Sequence, residues 1–184
     1  VIPVFPLSGV IYFPKTNLPL NIFEQRYLDL VNDAYQIDKM MGMVQSRKEG
    51  ESVYKIGCLG KIRDYQKRKE GRILINLTGV TRFQILEEVF NKKLYREFKV
   101  DYKKFIEDID NLQTNVETST LMDKAQSFFK RNGLLLNWRE FEKLDLTQQI
   151  NTLAMIAPIT NEEKQKLLES VSLENKVKSL ESII

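Results

Sequence analysis

The stretch from Lys55 to Phe83 constrains the fold most, because it has the pattern of a long two-stranded β-hairpin. Residues 66–71 between its arms are polar and end in Gly71, which suits the positive φ that a chain reversal often needs. Apolar residues recur at every second position of both arms: Ile56, Cys58 and Ile62 in the first, and Ile73, Ile75 and Leu77 in the second. We therefore predict a hairpin with one core-facing side and a solvent-exposed tip.

Short apolar segments on both sides of the hairpin predict six or seven strands in the first hundred residues. The further segments are 2–7, 9–13, 18–23, 40–45 and 94–102. Residues 80–90 continue the second arm of the hairpin after Gly79, which is predicted to form a bulge or bend. Residues 24–36 instead have an i, i+4, i+7 apolar stripe, which is typical of a helix. A closed or nearly closed barrel leaves few unpaired strand edges, so we expect these strands to form one. We expect the helix to cross the sheet.

The pattern changes near residue 106, and the rest of the chain is predicted to be helical. Four helices are expected, at 116–131, 145–157, 162–171 and 172–184, packed as a bundle. Their start signals are a capping box of Thr114 with Glu117, a second of Thr160 with Glu163, and N-caps at Asp145 and Ser172. We predict an α+β protein with a β-barrel domain at 1–112 and an α-helical bundle at 113–184.

Composition excludes most familiar catalytic sites. The 184 residues include no histidine and one cysteine, which excludes Ser-His and Cys-His nucleophiles and zinc sites built on imidazole or several thiolates. The nucleotide-binding pattern G-x-x-x-x-G-K-[ST] is absent, and no apolar run is long enough to span a bilayer. We therefore expect no enzyme activity, no catalytic residues, no cofactor, no metal and no membrane, and a cytoplasmic location.

Four blocks, in order and at compatible spacings, resemble the N-terminal substrate-binding domain of Lon protease. They are Ile2–Leu7, Leu18–Tyr27, Tyr54–Gly60, and Gly71–Arg72 with Leu77–Phe83, and residues 157–169 are similar to the helical part of such domains. The resemblance implies a PUA-like small β-barrel followed by an α-helical bundle. It also implies recognition of unfolded or damaged protein segments, with a protease or chaperone as a further partner. The chain lacks the ATPase and peptidase modules, so we expect either a stand-alone protein of this family or an excised fragment, and the short last helix favours the stand-alone form.

Seven residues are candidates for contact with polypeptide. Glu24, Arg26 and Tyr27 match the family's Phe-Glu-x-Arg-Tyr block, where they either line a groove or tie the first helix to the barrel. Arg82 has the same two interpretations, with Glu24 as its expected carboxylate partner. Tyr12, Phe13, Phe23 and Tyr27 form a candidate exposed aromatic cluster, the alternative being that these rings belong to the core.

The hairpin tip supports a second hypothesis, an RNA-binding or acidic-partner-binding module. Six basic residues lie there against Asp64 and Glu70, and Tyr65 lies among them: Lys61, Arg63, Lys67, Arg68, Lys69 and Arg72. Charges also collect at hairpin tips for solubility, and the whole chain has a net charge of only +3. We therefore expect polypeptide, and not nucleic acid, to be the main partner.

Overall fold

The structure is a computed structural model that describes residues 1–47, 51–110 and 115–184. The chain forms two compact units, Val1–Asp110 and Asn111–Ile184. The predicted boundary between residues 112 and 113 falls at 111–114, outside the described residues, and stays a prediction.

The described part of the first unit contains six β-strands, one α-helix and one 3-10 helix. The strands are β1 (Ile2–Leu7), β2 (Asn17–Ile22), β3 (Met40–Gln45), β4 (Ile56–Lys67), β5 (Ile73–Val89) and β6 (Arg96–Asp101), with α1 at Gln25–Ile37 and the 3-10 helix at Lys103–Asp108. The predicted strand at 9–13 is wrong, because residues 10–13 have no strand assignment.

Five of the strands form a nearly closed ring. Strands β5, β4, β3, β1 and β6 are hydrogen-bonded in that order, and β6 returns to pair with β5. Strands β1 and β3 are parallel, and the other pairs are antiparallel. Strand β2 lies outside the ring, paired with the first half of β5.

The predicted hairpin is confirmed as β4 and β5, the longest strands of the sheet. Gly71 in its tip has a φ of 92°, and the predicted irregularity at Gly79 is confirmed by a register shift, since Gly60 pairs with Gly79 and Leu59 with Thr81. A core cluster inside the unit joins residues of β1, β3, β4, β5 and β6: Val4, Val44, Leu59, Phe83, Ile85 and Phe98.

Helix α1 packs against β3 and β1 through one apolar face. Two buried tyrosines help to hold it, because Tyr27 stacks on Phe5 with ring centroids 3.7 Å apart, and Tyr95 donates to Asp33 Oδ2 at 2.7 Å. Burial and the Asp33 carboxylate raise the pKa of Tyr95 to about 12.

The described part of the second unit contains five helices, one more than predicted: α2 (Ser119–Arg131), α3 (Trp138–Glu142), α4 (Leu146–Ile156), α5 (Asn161–Glu169) and α6 (Leu173–Ile183). Helix α6 packs against α2, α4 and α5. The predicted start of α2 at residue 116 is wrong, because Glu117 accepts a hydrogen bond from the Ser119 amide ahead of the first turn. Thr114, the other half of that predicted capping box, lies outside the described residues.

The other predicted helix starts are confirmed by hydrogen bonds. Asp145 accepts from the amide of Gln148, and Ser172 accepts from the amide of Asn175. Thr160 and Glu163 form the predicted capping box in both directions. No helix in the described ranges is long and apolar enough to cross a membrane.

Candidate functional site

Strand β2 has an open edge. Within the part of the chain that the structure describes, its only strand partner is β5, which leaves the backbone groups on its other side unpaired in the sheet. Leu18 and Ile22 are buried, while Asn17, Pro19 and Asn21 are exposed, so the strand has one core face and one polar face. An open edge of this kind can accept a further extended strand.

The register shows which backbone groups point to that edge. Gly79 donates its amide to Thr16 O at 2.9 Å. Opposed residues in an antiparallel ladder alternate between hydrogen-bonded and non-hydrogen-bonded pairs. Gly79 O in turn accepts from the amide of Lys15, so the ladder begins with hydrogen bonds at Gly79. The alternation then makes Asn17, Pro19 and Asn21 direct their backbone groups outward. Pro19 has no amide hydrogen, so the middle of the open edge accepts a hydrogen bond but cannot donate one.

Phe23 follows the end of β2 and is the exposed member of the predicted aromatic cluster. Its side chain is 66% exposed, next to Glu24 at the N-terminus of α1. Arg26 Nε donates to Glu24 Oε2 at 2.9 Å, and both side chains of this ion pair are about half exposed. The guanidinium of Arg26 also lies 4.6 Å from the centroid of the Tyr27 ring. The structure therefore brings Phe23, Glu24 and Arg26 together at one end of the open edge.

Tyr27 itself is not exposed, as the predicted cluster required. It is 7% exposed because its ring packs between α1 and Phe5. Its hydroxyl lies 3.4 Å from Pro6 O. Burial raises the pKa of Tyr27, with Arg26 opposing the shift. Of its two predicted roles, the contacts fit the anchor between helix and sheet.

Tyr12 and Phe13 are also buried, at 1% and 0% exposure, so the predicted exposure of these rings is wrong. Tyr12 donates to Cys58 O at 3.0 Å, and burial raises the pKa of its hydroxyl well above the ordinary range. The backbone of Phe13 packs closely against Gly79, since a Cβ added at Gly79 would lie only 2.2 Å from Phe13 O. Residues 10–13 are not a strand, but their aromatic side chains still fill the interior, as the alternative interpretation expected.

Arg82 pairs with Asp108, and not with Glu24 as predicted. Asp108 Oδ2 accepts from Arg82 Nε at 2.9 Å, Oδ1 accepts from Nη2 at 3.0 Å, and the Arg82 amide also donates to Oδ2. The two side chains are 3% and 8% exposed, and the guanidinium lies 4.3 Å from the centroid of the Phe105 ring. This buried pair attaches the 3-10 helix to β5 and leaves Arg82 no exposed surface for a client.

The basic hairpin tip is exposed, but its aromatic residue is engaged. Arg63, Lys67, Arg68, Lys69 and Arg72 are exposed, and Lys61 is half-buried. Glu70 accepts hydrogen bonds from Arg72, which lower the pKa of its carboxyl group. The Tyr65 ring stacks on Tyr35, with ring centroids 4.5 Å apart, and its hydroxyl donates to Asn32. The ring is therefore already stacked on a protein side chain, which a nucleobase would have to displace or share.

Sequence reasoning missed two features of this region. The open edge of β2 depends on which strands pair across the sheet, and Asp108 lies 26 residues from Arg82. The one local signal for the edge was Pro19, since proline within a strand favours an edge position. Over the described ranges, no group of three or more metal-ligating side chains is assembled.

Comparison with known proteins identifies a family match and several relatives. The family described as the ATP-dependent protease La (LON) substrate-binding domain matches residues 1–184. Lon protease from Syntrophus aciditrophicus is 25% identical over 198 residues, covering 100% of this chain and 25% of that protein. Lon protease 2 from Myxococcus xanthus is 26% identical over 191 residues, covering 97% of this chain and 22% of that protein. The chain thus spans about a quarter of the length of these relatives.

Two solved structures share the fold. A Lon N-terminal domain protein from Xanthomonas campestris has a TM-score of 0.69 at 20% identity, covering 98% of this chain and 96% of that chain. The N-terminal domain of the Mycobacterium avium complex Lon protease has a TM-score of 0.68 at 16% identity, covering 97% and 95%. The predicted α+β fold class is therefore confirmed.

Proposed function

Because this chain belongs to the family of the ATP-dependent protease La (LON) substrate-binding domain, we propose that it binds unfolded or extended polypeptide without catalysing a reaction on it. The binding site in this proposal is the open edge of β2 together with Phe23. Since the relatives are named Lon proteases, the proposal includes a protease as the partner that receives the bound client.

The unpaired edge of β2 beside an exposed aromatic ring is the observation that supports this function best. An extended client added along the edge meets five outward backbone groups, which are the amides of Asn17 and Asn21 and the carbonyls of Asn17, Pro19 and Asn21. Backbone hydrogen bonds do not depend on the client's sequence, which suits a receptor for many unfolded proteins. Phe23, 66% exposed at the end of the strand, adds an apolar contact for one client side chain.

We expect the affinity for one segment to be weak. The edge is six residues long, and its central residue has no amide to donate. An unfolded client also loses about 1–2 kcal/mol of conformational entropy for each residue that it orders, and the association itself costs free energy. Binding in the micromolar range or weaker is therefore expected.

Fluorescence anisotropy with a labelled, permanently unfolded protein, such as reduced and carboxymethylated α-lactalbumin, tests the site. Phe23→Ser should raise Kd by at least about fivefold, since an aromatic contact of ~1 kcal/mol is lost. Asn21→Pro removes an outward amide and should also weaken binding, whereas Pro19→Val adds one and should strengthen it. Phe90→Ser is the matched control, because Phe90 is 89% exposed beyond the end of β5 and away from the β2 edge.

Circular dichroism must show that each variant is folded. Serine at Phe13 or Tyr27 is unsuitable, because both rings are buried and their loss would unfold the unit. If Phe23→Ser, Asn21→Pro and Pro19→Val all leave Kd unchanged, the proposed site is wrong.

The same assay distinguishes polypeptide binding from the alternative function, binding of nucleic acid or an acidic partner by the basic hairpin tip. Reversal of charge at Lys67, Arg68 and Lys69 should leave polypeptide binding unchanged, and binding should depend little on salt. If the charge reversal abolishes binding, and affinity falls steeply as salt rises, a nucleic acid or acidic partner replaces polypeptide as the ligand.

A further inference from the structure

The loop between α2 and α3 presents a run of three leucines to solvent. Leu135 is 101% exposed and Leu134 is 40% exposed, while Leu136 is half-buried. A side chain with full exposure protrudes from the surface and cannot line a groove. Single exposed leucines are common, but three consecutive leucines at a loop tip form an apolar patch whose exposure to water is unfavourable.

Local hydrogen bonds fix the shape of this loop. Gly133 has a φ of 68° and donates to Lys130 O, and Leu134 donates to Phe129 O at 2.9 Å, which together form a Schellman motif at the end of α2. On the other side, Asn137 accepts from the amide of Glu140 and caps α3. The leucines are therefore held at the tip by a cap on each side.

An aromatic base supports the tip. Trp138 lies 5.9 Å from Phe129 and 5.3 Å from Phe141, measured between ring centroids. Phe129 and Phe141 are buried, and Trp138 is half-buried directly after the leucine loop. Trp138 is also the only tryptophan in the chain.

Three basic residues flank the leucines, and the first acidic residue on the C-terminal side is Glu140, next to Arg139. Residues 130–139 include Lys130, Arg131 and Arg139 and no aspartate or glutamate. Arg131 lies 6.0 Å from the centroid of Phe128, and none of the three basic residues forms an ion pair with a described residue. The next carboxylate along the chain, Glu140, accepts from Lys143 at 2.8 Å. The loop thus combines an apolar tip with three available positive charges.

We propose that this loop docks on the surface of an anionic lipid bilayer, which departs from the expectation of no membrane drawn from the sequence. In this arrangement Leu134 and Leu135 enter the boundary between headgroups and acyl chains, where apolar side chains leave water. Lys130, Arg131 and Arg139 then lie at the level of the anionic headgroups, and long basic side chains can reach that level from a buried stem. Trp138 lies near the interface, a position that its ring favours.

A bilayer fits this loop better than an extended polypeptide does. A protruding tip is surrounded on all sides only by a fluid apolar phase or by a preformed pocket, and an unfolded chain offers neither. The positive flanks match an anionic surface by charge. This inference concerns the second unit and is independent of the proposed function at β2, so either can fail alone.

Flotation of the whole chain with vesicles tests the proposal. Vesicles of phosphatidylcholine and phosphatidylglycerol, mixed at roughly two to one, should bind the protein, and pure phosphatidylcholine vesicles should bind it several-fold less. Leu135→Ser should weaken binding at least about tenfold, from the apolar area that no longer enters the bilayer. Arg131→Gln with Arg139→Gln should weaken it about tenfold or more, and should remove most of the dependence on salt. Phe90→Ser, an equally exposed aromatic residue of the first unit, should leave it unchanged.

Trp138 gives a second readout that does not depend on affinity. Its emission should shift to shorter wavelength with anionic vesicles and should be quenched by brominated acyl chains, and Leu135→Ser should abolish both effects. The proposal is overturned if the wild-type chain does not bind anionic vesicles, or if Leu135→Ser binds them as well as wild type. It is also overturned if Leu135→Ser instead abolishes capture of an unfolded protein or self-association in sedimentation, since the loop would then be a protein contact.

Discussion

Removal of the Asp108 carboxylate should destabilise the first unit strongly. Asp108→Ala removes the carboxylate that pairs with the Arg82 guanidinium, which is 3% exposed. The guanidinium loses two hydrogen bonds, of 2.9 and 3.0 Å, and the Arg82 backbone amide loses one of 2.9 Å. Loss of one partner from a buried ion pair typically costs ~3–5 kcal/mol, because the remaining charge stays desolvated. We expect a decrease of that size in the free energy of unfolding of the first unit, a large part of a typical total of about 5–15 kcal/mol.

Urea unfolding with two probes measures this effect. Hydrogen exchange of amides in β5 reports on the first unit, whereas the fluorescence of Trp138 reports on the second. Glu24→Ala is the matched control, because the Glu24 side chain forms an exposed pair with Arg26 and no capping hydrogen bond with α1. It should cost at most ~1 kcal/mol.

A double variant separates charge from packing. Arg82→Met with Asp108→Leu removes both charges and should recover at least half of the lost stability, since well-packed apolar residues can replace a buried ion pair. The reasoning is refuted if Asp108→Ala costs less than ~1 kcal/mol, or if Glu24→Ala costs more than Asp108→Ala does.

Two further results are expected in the first unit. Gly79→Ala should cost ~3 kcal/mol in urea unfolding, because its Cβ would lie 2.2 Å from Phe13 O, a backbone atom. Gly71→Ala should cost ~1–2 kcal/mol, because no atom lies within 4 Å of the added Cβ and only the φ of 92° opposes it. Stability should fall as pH rises between about 10 and 12, because the folded state keeps the Tyr95 proton, with a pKa of about 12, after the unfolded chain has lost it near 10. Tyr95→Phe should lose less stability over this interval than wild type, and an identical loss in both proteins would contradict the assignment.

Local patterns in the sequence were sufficient for most helix starts and for the main hairpin. A capping box needs residues only three positions apart, and the Thr160–Glu163 box forms as predicted. Helix α3 was missed because its five residues, Trp138–Glu142, are too few to show a helical period. The hairpin was predictable because its two strands are adjacent in sequence and alternate clearly.

The candidate site depended on contacts between distant residues, and it was predicted less well. Exposure of Tyr12 and Phe13 could not be judged from alternation alone, because a segment without strand pairing can still turn its rings inward. The sequence suggests Glu24 as a carboxylate partner of Arg82, whereas only the fold brings Asp108 to it. Phe23, by contrast, follows directly after a strand with alternating burial, and its exposure agrees with the exposure expected from the sequence. Its role in binding stays a prediction.

The ring of strands can close only late in protein synthesis, because β1 is translated first and its partner β6 last. Ile2 pairs with Phe98, so among the described strands β1 can pair only with β3 until β6 has been made. At about 5–20 residues per second on the ribosome, the roughly ninety residues between these strands take about 5–20 s to translate. During that interval the nascent chain keeps an unpaired edge on β1, with Val4 of the later core not yet covered by Phe98. A member of the family described as the ATP-dependent protease La (LON) substrate-binding domain is thus, while it is being translated, an incompletely folded polypeptide itself.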